Sequence, residues 1–393
     1  MMIKKQAVLV IIAFFSILRA GLAQQAEINK GVWVTVFSQK KVLYSKKAVT
    51  DLIALCKEAK INEIYLQVYQ SGKAYYDSVI LDNLKYTEIR KTAKVDTIDF
   101  LLRQAKDNNI KVFAWVNLLS LGQNEEADIV KKFGRSILTR DQYLRPSGRQ
   151  NPLESDKYYL REEQYFLEPG DSRVARFLIA IVEEIVKRYP LFSGVHLDYV
   201  RYPMTVPFIP GSKFSKFGLS YGYGEKNIEH FSSVTGIDPL VGLKTDKGFS
   251  LWDNWRRQQI TSLVRRIHKH LKEKYPQMLV SCAVIPSAER AYTSLFQDWP
   301  FWLEEGIVDY VVLMNYSPDQ QLTKEIVTSS LAQRQKAKVF VGIGLFLFKD
   351  NPDVFQEQYQ IIKGLNPDGV TFFSCDDLTP EVIAYLKNAD LKN

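Results

Sequence analysis

Gly194-Val195-His196-Leu197-Asp198-Tyr199-Val200-Arg201-Tyr202-Pro203 is the stretch that decides the fold. Side chains alternate along a strand, so Val195 and Leu197 share one face and His196 and Asp198 the other. One face is apolar and suits packing against helices. The opposite face ends in a carboxylate flanked by Tyr199 and Arg201. Such a face fits a buried strand when it looks into the mouth of a barrel.

Seven further β-rich runs accompany the one at 194–200, at 31–37, 61–69, 111–119, 279–285, 310–316, 339–346 and 369–373. Between them, apolar residues recur at three- and four-residue spacing over 48–59, 98–108, 174–189, 252–275, 299–305 and 354–364, which predicts helices. Ser45 stands where the first helix needs a cap, and Pro190 and Pro276 close the third and fourth. Parallel neighbours require helical crossovers, so eight strand-then-helix units predict an α/β fold, a (β/α)8 TIM barrel. A doubly wound dinucleotide-binding sheet would carry a Gly-rich turn after its first strand, where this chain has Ser38-Gln39-Lys40-Lys41. Gly342 and Gly344 make only a GxG fragment and are read as permitting close approach inside the barrel.

Two connections are far longer than ordinary βα loops: 120–171 after the third strand and 204–249 after the fourth. Both leave the carboxyl ends of strands, the face on which barrel active sites are built. The second is rich in Phe208, Phe214, Phe217, Tyr221, Gly222, Tyr223 and Gly224. Its aromatic faces suit stacking on sugar rings, and equally suit a satellite hydrophobic cluster that pins a long loop.

The same alternation sends Trp33 and Thr35, then Tyr65, Gln67 and Tyr69, then Trp115 and Asn117, then His196 and Asp198 toward the barrel axis. A purely structural core layer would be Val, Ile or Leu. Burying amides and carboxylates without partners is costly, so a polar upper layer reads as a site. The candidate substrate-binding set is Trp33, Gln67, Trp115, Asn117, His196, Tyr199, Arg201, Tyr221, Tyr223, Asn315 and Tyr316, with Asp198 as the catalytic candidate. Arg201 is expected to hold Asp198 ionised at low pKa, which suits a nucleophile or electrostatic stabiliser more than a proton donor. His196, one layer below, also fits a hydrogen-bonded core residue. A metal pair with Asp198 would need further ligands that the other three histidines, in helical or loop segments, do not offer. There is no GxSxG elbow and no HxH on the first strand, and no cofactor or metal is called for.

Residues 1–23 read as an export signal: Lys4 and Lys5 precede an apolar run from Ala7 to Leu18, and Gly21-Leu22-Ala23 places small residues at a cleavage point. That run is shorter than the ~20 residues of a spanning helix. The expectation is a periplasmic or secreted chain without stable membrane insertion, with a single barrel over 24–393. Removing Lys4, Lys5 and Arg19 lowers the formal charge from +8 to +5. Scattered charges disfavour nucleic acid and suit work near an anionic envelope polymer. Cys56, Cys282 and Cys375 match no zinc or redox spacing and read as buried thiols, with a bridge between two of them left open.

In order along the chain, Gly31-Val32-Trp33, the strand at 62–69, Ala114-Trp115-Val116-Asn117 and Phe166-Leu167-Glu168-Pro169-Gly170 lead into the motif at 194–203. Trp252 and Trp255 with Arg256, Gln297-Asp298-Trp299 with Trp302-Leu303, and Gly342-Ile343-Gly344 follow. Together they resemble the glycoside-hydrolase-like family ten, exported bacterial (β/α)8 proteins, from Gly31 to Phe373. The resemblance implies a hydrolase of envelope polysaccharide, with relatives similar to enzymes that cleave peptidoglycan glycan strands lacking peptides. It also implies that Asp198 is the fourth-strand catalytic acid. Members of the group often carry a second acid directly after it, where this chain has Tyr199. Glycoside hydrolysis ordinarily uses two carboxyl groups. Related barrels place the partner on the loop after the sixth strand, which points to Asp319. Glu168, in a matched motif, is the rival, although with Asp171 it also suits a helix cap, and Asp376 and Asp377 are outsiders. The alternative function is a non-catalytic glycan-binding barrel, motivated by Tyr199 and by Asn315-Tyr316-Ser317 where an acid would stand.

Overall fold

The computed structural model describes residues 28–148, 160–206, 211, 213 and 218–389. The expected export signal at 1–23 and the loop aromatics Phe208, Phe214 and Phe217 lie outside them. Eight parallel strands form the centre: β1 (Asn29–Val34), β2 (Glu63–Gln70), β3 (Lys111–Asn117), β4 (Gly194–Asp198), β5 (Leu279–Val284), β6 (Tyr310–Asn315), β7 (Lys338–Gly344) and β8 (Gly369–Phe373). Each pairs with its chain neighbour, and β1 pairs with both β2 and β8, which closes the barrel.

The alternation along the strands divides two cores. Val32, Val34, Ile64, Leu66, Val195 and Leu197 join the outer layer under the helices. Trp33, Tyr65, Phe113, Trp115, Tyr310, Val312 and Phe340 fill the interior. The interior is thus aromatic rather than aliphatic, with Tyr65 stacked on Phe113 at 5.3 Å and Tyr310 on Phe340 at 4.6 Å between centroids. Glycine makes room for these rings: a Cβ on Gly342 would lie 2.9 Å from the Trp33 ring, the close approach expected of that residue. Tyr69 departs from the expected pattern. A bulge after Gln67 brings Tyr69 level with Val116, so it joins the outer core instead of the axis.

Helix α1 (Lys46–Glu58) starts where Ser45 accepts the Ala48 amide at 3.0 Å. Asp96 opens α2 (Thr97–Asp107), Asp171 opens α3 (Ser172–Arg188) and Thr245 opens α4 (Asp246–Lys274) in the same way. Apolar spacing holds α3 to the barrel through Val174, Leu178, Ile181, Val182 and Ile185, all at most 1% exposed. Helices at Leu84–Ala93, Glu225–Thr235 and Pro380–Asn388 add to those the periodicity predicted.

The long connections after β3 and β4 are sewn together above the end of β4. Leu160–Arg161 pairs antiparallel with Thr205–Val206, and isolated bridges join Ser120 to Phe166 and Asp141 to Tyr221. Arg256, fully buried on α4, donates to Ser220 Oγ at 2.8 Å and to the Tyr221 carbonyl, and so ties the second connection to the barrel wall. Cys56, Cys282 and Cys375 are buried and free. Among the described residues no helix is long and apolar enough to cross a membrane.

Candidate active site at the barrel mouth

Asp198 is the last residue of β4 and sits in register with Asn117, the last of β3. Its carboxylate accepts the Trp115 indole Nε1 at 3.1 Å and the Tyr199 amide at 2.6 Å, and the residue is 8% exposed. Tyr199 itself has a φ of 53°, in the left-handed region that an aromatic residue seldom enters. Burial pushes the Asp198 carboxyl above the ordinary aspartate range, while the Tyr199 amide, the Arg201 charge and the Trp115 indole pull it down less strongly. This corrects the expectation of a low pKa. Arg201 gives its fork to Glu162 instead, Nη2 to Oε1 at 2.7 Å and Nη1 to Oε2 at 2.8 Å. Its guanidinium lies 5.0 Å from the Tyr199 ring centroid and 5.8 Å from that of Phe166.

Beside Asp198 the amide layer satisfies itself. Gln67 accepts from Thr35 Oγ1 at 3.0 Å and the Val36 amide at 3.1 Å, and donates to Asn117 Oδ1 at 3.3 Å. One layer lower, His196 is fully buried, and burial lowers its pKa to about 3. Trp33 Nε1 donates to its Nε2 at 3.1 Å, so the proton of the neutral ring sits on Nδ1 and is given to Ser281 Oγ at 2.9 Å. His196 and Trp33 are therefore a core pair beneath the site rather than part of its open surface, because every polar atom of the pair is used internally.

Phe373, the end of β8, brings the mouth aromatics together, with ring centroids 5.9 Å from Trp33, 6.4 Å from Trp115 and 5.6 Å from Tyr316. Tyr316 also meets Phe346, which is 42% exposed. Burial raises the Tyr316 phenol well above its usual range, and the charge of Asp198 adds to it. Asn315, expected to touch substrate, is 1% exposed and donates to Thr323 Oγ1 at 3.1 Å, which fastens β6 to α5 (Gln320–Leu331).

The expected second acids each have partners of their own. Glu168 is wholly buried and accepts four hydrogen bonds, from Thr139 Oγ1, Tyr202 Oη and the Gly170 and Gly224 amides. A carboxylate has about four lone-pair sites, so none is left for a substrate. Asp319 is exposed at the N-cap of α5, accepting the Leu322 amide at 2.8 Å. Asp376 accepts from Ser38 Oγ and the Gln39 amide, and Asp377 pairs with Lys349 at 2.8 Å. Tyr221 and Tyr223 are each 3% exposed. Tyr221 belongs to the main core and Tyr223 packs 5.3 Å from Trp252, so these two rings serve as packing; Phe208, Phe214 and Phe217 of the same loop lie outside the described residues.

Sequence reasoning missed two residues here. Phe373 looked like an ordinary strand end. Glu162 stands in the run Arg161-Glu162-Glu163-Gln164, whose charge pattern carries no period, and its partner Arg201 is 39 residues away. Among the described residues no group of three or more His, Cys, Asp or Glu side chains is placed to hold a metal ion.

The comparisons with known proteins agree with the barrel fold. The chain is 20% identical over 409 residues to glycosyl hydrolase DigH of Escherichia coli K12, covering 92% of this chain and 83% of that one. It is 23% identical over 319 residues to glycosyl hydrolase YngK of Bacillus subtilis, covering 75% of this chain and 55% of that one. Among solved structures, the catalytic domain of a beta-amylase from Paenibacillus polymyxa superposes with a TM-score of 0.58 at 11% identity, covering 93% of this chain and 98% of that one, a likeness of fold. The model of the glycosyl hydrolase-like 10 family matches residues 28–360, most of the chain, and the protein belongs to that family.

Proposed function

We propose that this protein is an exported glycoside hydrolase that cleaves a glycosidic bond in an envelope or environmental polysaccharide, with Asp198 as its essential carboxyl group. The observation that carries the reading is Asp198 itself, a carboxyl at the carboxyl end of a barrel strand, oriented by the Trp115 indole, whose ring meets Phe373, and near enough to Tyr316 for its charge to act on that phenol. Sugar rings present C–H faces that aromatic rings accept, and a glycosidic oxygen needs a proton as it leaves. Family membership and the signal-like sequence at 1–23 support a carbohydrate target met outside the cytoplasm. Among envelope polymers, peptidoglycan glycan strands stripped of peptides are the first substrate to try.

The test is digestion of such strands, and of plant and algal polysaccharides, by the purified chain, with mass spectrometry of the products. Shortened oligosaccharides that gain one water per cut are expected. Tight binding with no cleavage of any polymer would favour the glycan-binding barrel, the reading that Tyr199 in the place of a second acid keeps open.

A further inference from the structure

We propose that a groove on the outer, helical wall of the barrel is a second glycan site, built for a sugar that bears a carboxylate; this rests on the carbohydrate target proposed above. The groove holds about 660 Å³ between one face of α4, the helix Ala288–Ser294 and the start of the helix Trp299–Glu305. It shares no lining residue with the mouth around Asp198.

Arg257 is the side chain in this wall that calls for a ligand. The residue is 9% exposed, and its guanidinium carbon lies 3.8 Å from the Tyr292 ring centroid. Nη1 donates to the Tyr292 carbonyl at 3.1 Å and Nη2 to Asn254 Oδ1 at 2.6 Å, so two of five N–H donors are used and both acceptors are neutral. Among the described residues no carboxylate forms an ion pair with it. Asp253, one turn earlier on α4, is held by Arg256 at 2.6 Å, and Asp298 lines the groove without pairing to Arg257. A buried charge ordinarily has a partner of opposite sign, because taking it out of water alone is costly. The chain leaves that place beside Arg257 to an anion from outside.

The rest of the wall selects the anion. Trp255, Tyr292 and Phe301 line the groove and are all partly exposed, and such rings accept the C–H faces of sugars. Arg265, exposed and 5.8 Å from the Phe301 ring centroid, stands two turns along the same helix, about 12 Å from Arg257 by helix rise. Asp298 would repel a chain of phosphates but accepts hydrogen bonds from hydroxyl groups. A singly charged sugar acid meets all of these: its carboxylate takes the free donors of the Arg257 fork, its ring lies on an aromatic face and a hydroxyl donates to Asp298.

The experiment measures affinity with the full Asp198→Asn chain, so that binding is read apart from cleavage. The probes are peptide-free glycan strands, oligogalacturonates and alginate oligosaccharides, each beside the same glycan with its carboxyls reduced to alcohols. At least one acidic glycan is expected to bind about tenfold or more tightly than its reduced form. Adding Arg257→Gln should abolish that preference and leave the affinity for the reduced form within about threefold. Arg265→Gln changes an exposed side chain, serves where Arg257→Gln does not fold, and should weaken the acidic form alone by about threefold. Equal affinity for both forms of every glycan, or a preference that survives folded Arg257→Gln or is unmoved in Arg265→Gln, overturns the site. Inorganic phosphate that displaces the acidic glycan at equal concentration shows a plain anion hole and overturns the sugar. All of these leave the hydrolase reading standing. A wild type that cuts no polymer, with the Arg257-dependent preference intact, overturns that reading and keeps the groove.

Discussion

The Trp115 indole donates to Asp198 across two paired strands, Nε1 to Oδ2 at 3.1 Å, and in doing so fixes the one carboxyl group at the end of β4. Strand register makes this contact possible: Trp115 stands opposite His196, so its ring reaches up toward the residue two places on, on the same inward face.

Removing that donor has a signed consequence. The indole favours the charged form of Asp198, so Trp115→Phe should raise the Asp198 pKa further. A hydrogen bond to the charged form favours that form, so without it the alkaline limb of the kcat/KM profile should move to higher pH. A pH–rate series on the two proteins checks this, and a limb that stays in place would separate Asp198 from the titration.

His196 gives a stability prediction. In the unfolded chain a histidine titrates near about 6.5, whereas the folded protein holds His196 neutral down to about 3. Between those values the unfolded state binds a proton that the native state does not, so stability falls as the pH drops through the window, by up to about 1.4 kcal/mol per unit. Urea unfolding at pH 7 and pH 5 should therefore show a loss about 2 kcal/mol larger in wild type than in His196→Gln. Equal losses would mean that His196 is protonated in the folded state.

Glu168→Gln separates a structural carboxylate from a catalytic one. The new amide group would face a donor such as the Gly224 or Gly170 amide, and each buried donor left without its acceptor costs about 1–3 kcal/mol. Thermal and urea melts should record that loss while the folded fraction turns over within a few fold of wild type. An inactive variant of unchanged stability would return Glu168 to the chemistry.

Tyr223→Ala should likewise act on folding. The ring is buried against Trp252 and Phe231, and removing a core aromatic costs about 3–5 kcal/mol. A melt shows this directly; a raised KM on polymer at unchanged stability would restore the loop to substrate binding.

The barrel was legible because each strand is a β-rich run and the two faces alternate cleanly, with Val32 and Val34 outward and Trp33 inward. Asp198 was legible for the same reason, as a carboxylate at the inward end of such a strand. What the pattern hid is instructive. The bulge that turns Tyr69 outward breaks the period of two by a single residue, and no local signal marks it. Helices at Leu84–Ala93 and Gln320–Leu331 bury few side chains, so their apolar stripes are thin. Tyr221 and Tyr223 read alike as platform or core until their surroundings are known. The partner of Arg201 was assigned by nearness in sequence to Asp198, but the closed barrel and the paired connections bring Glu162 to it instead.

The central claim, that Asp198 performs glycosidic cleavage at the barrel mouth, is tested most directly by kcat of Asp198→Asn against wild type on the polymer that the wild type cuts, with both proteins melted in parallel. Loss of about a thousandfold or more, equivalent to about 4 kcal/mol of barrier, in a protein that melts as a folded chain is the predicted result. A folded Asp198→Asn chain that keeps turnover within about tenfold of wild type would contradict it.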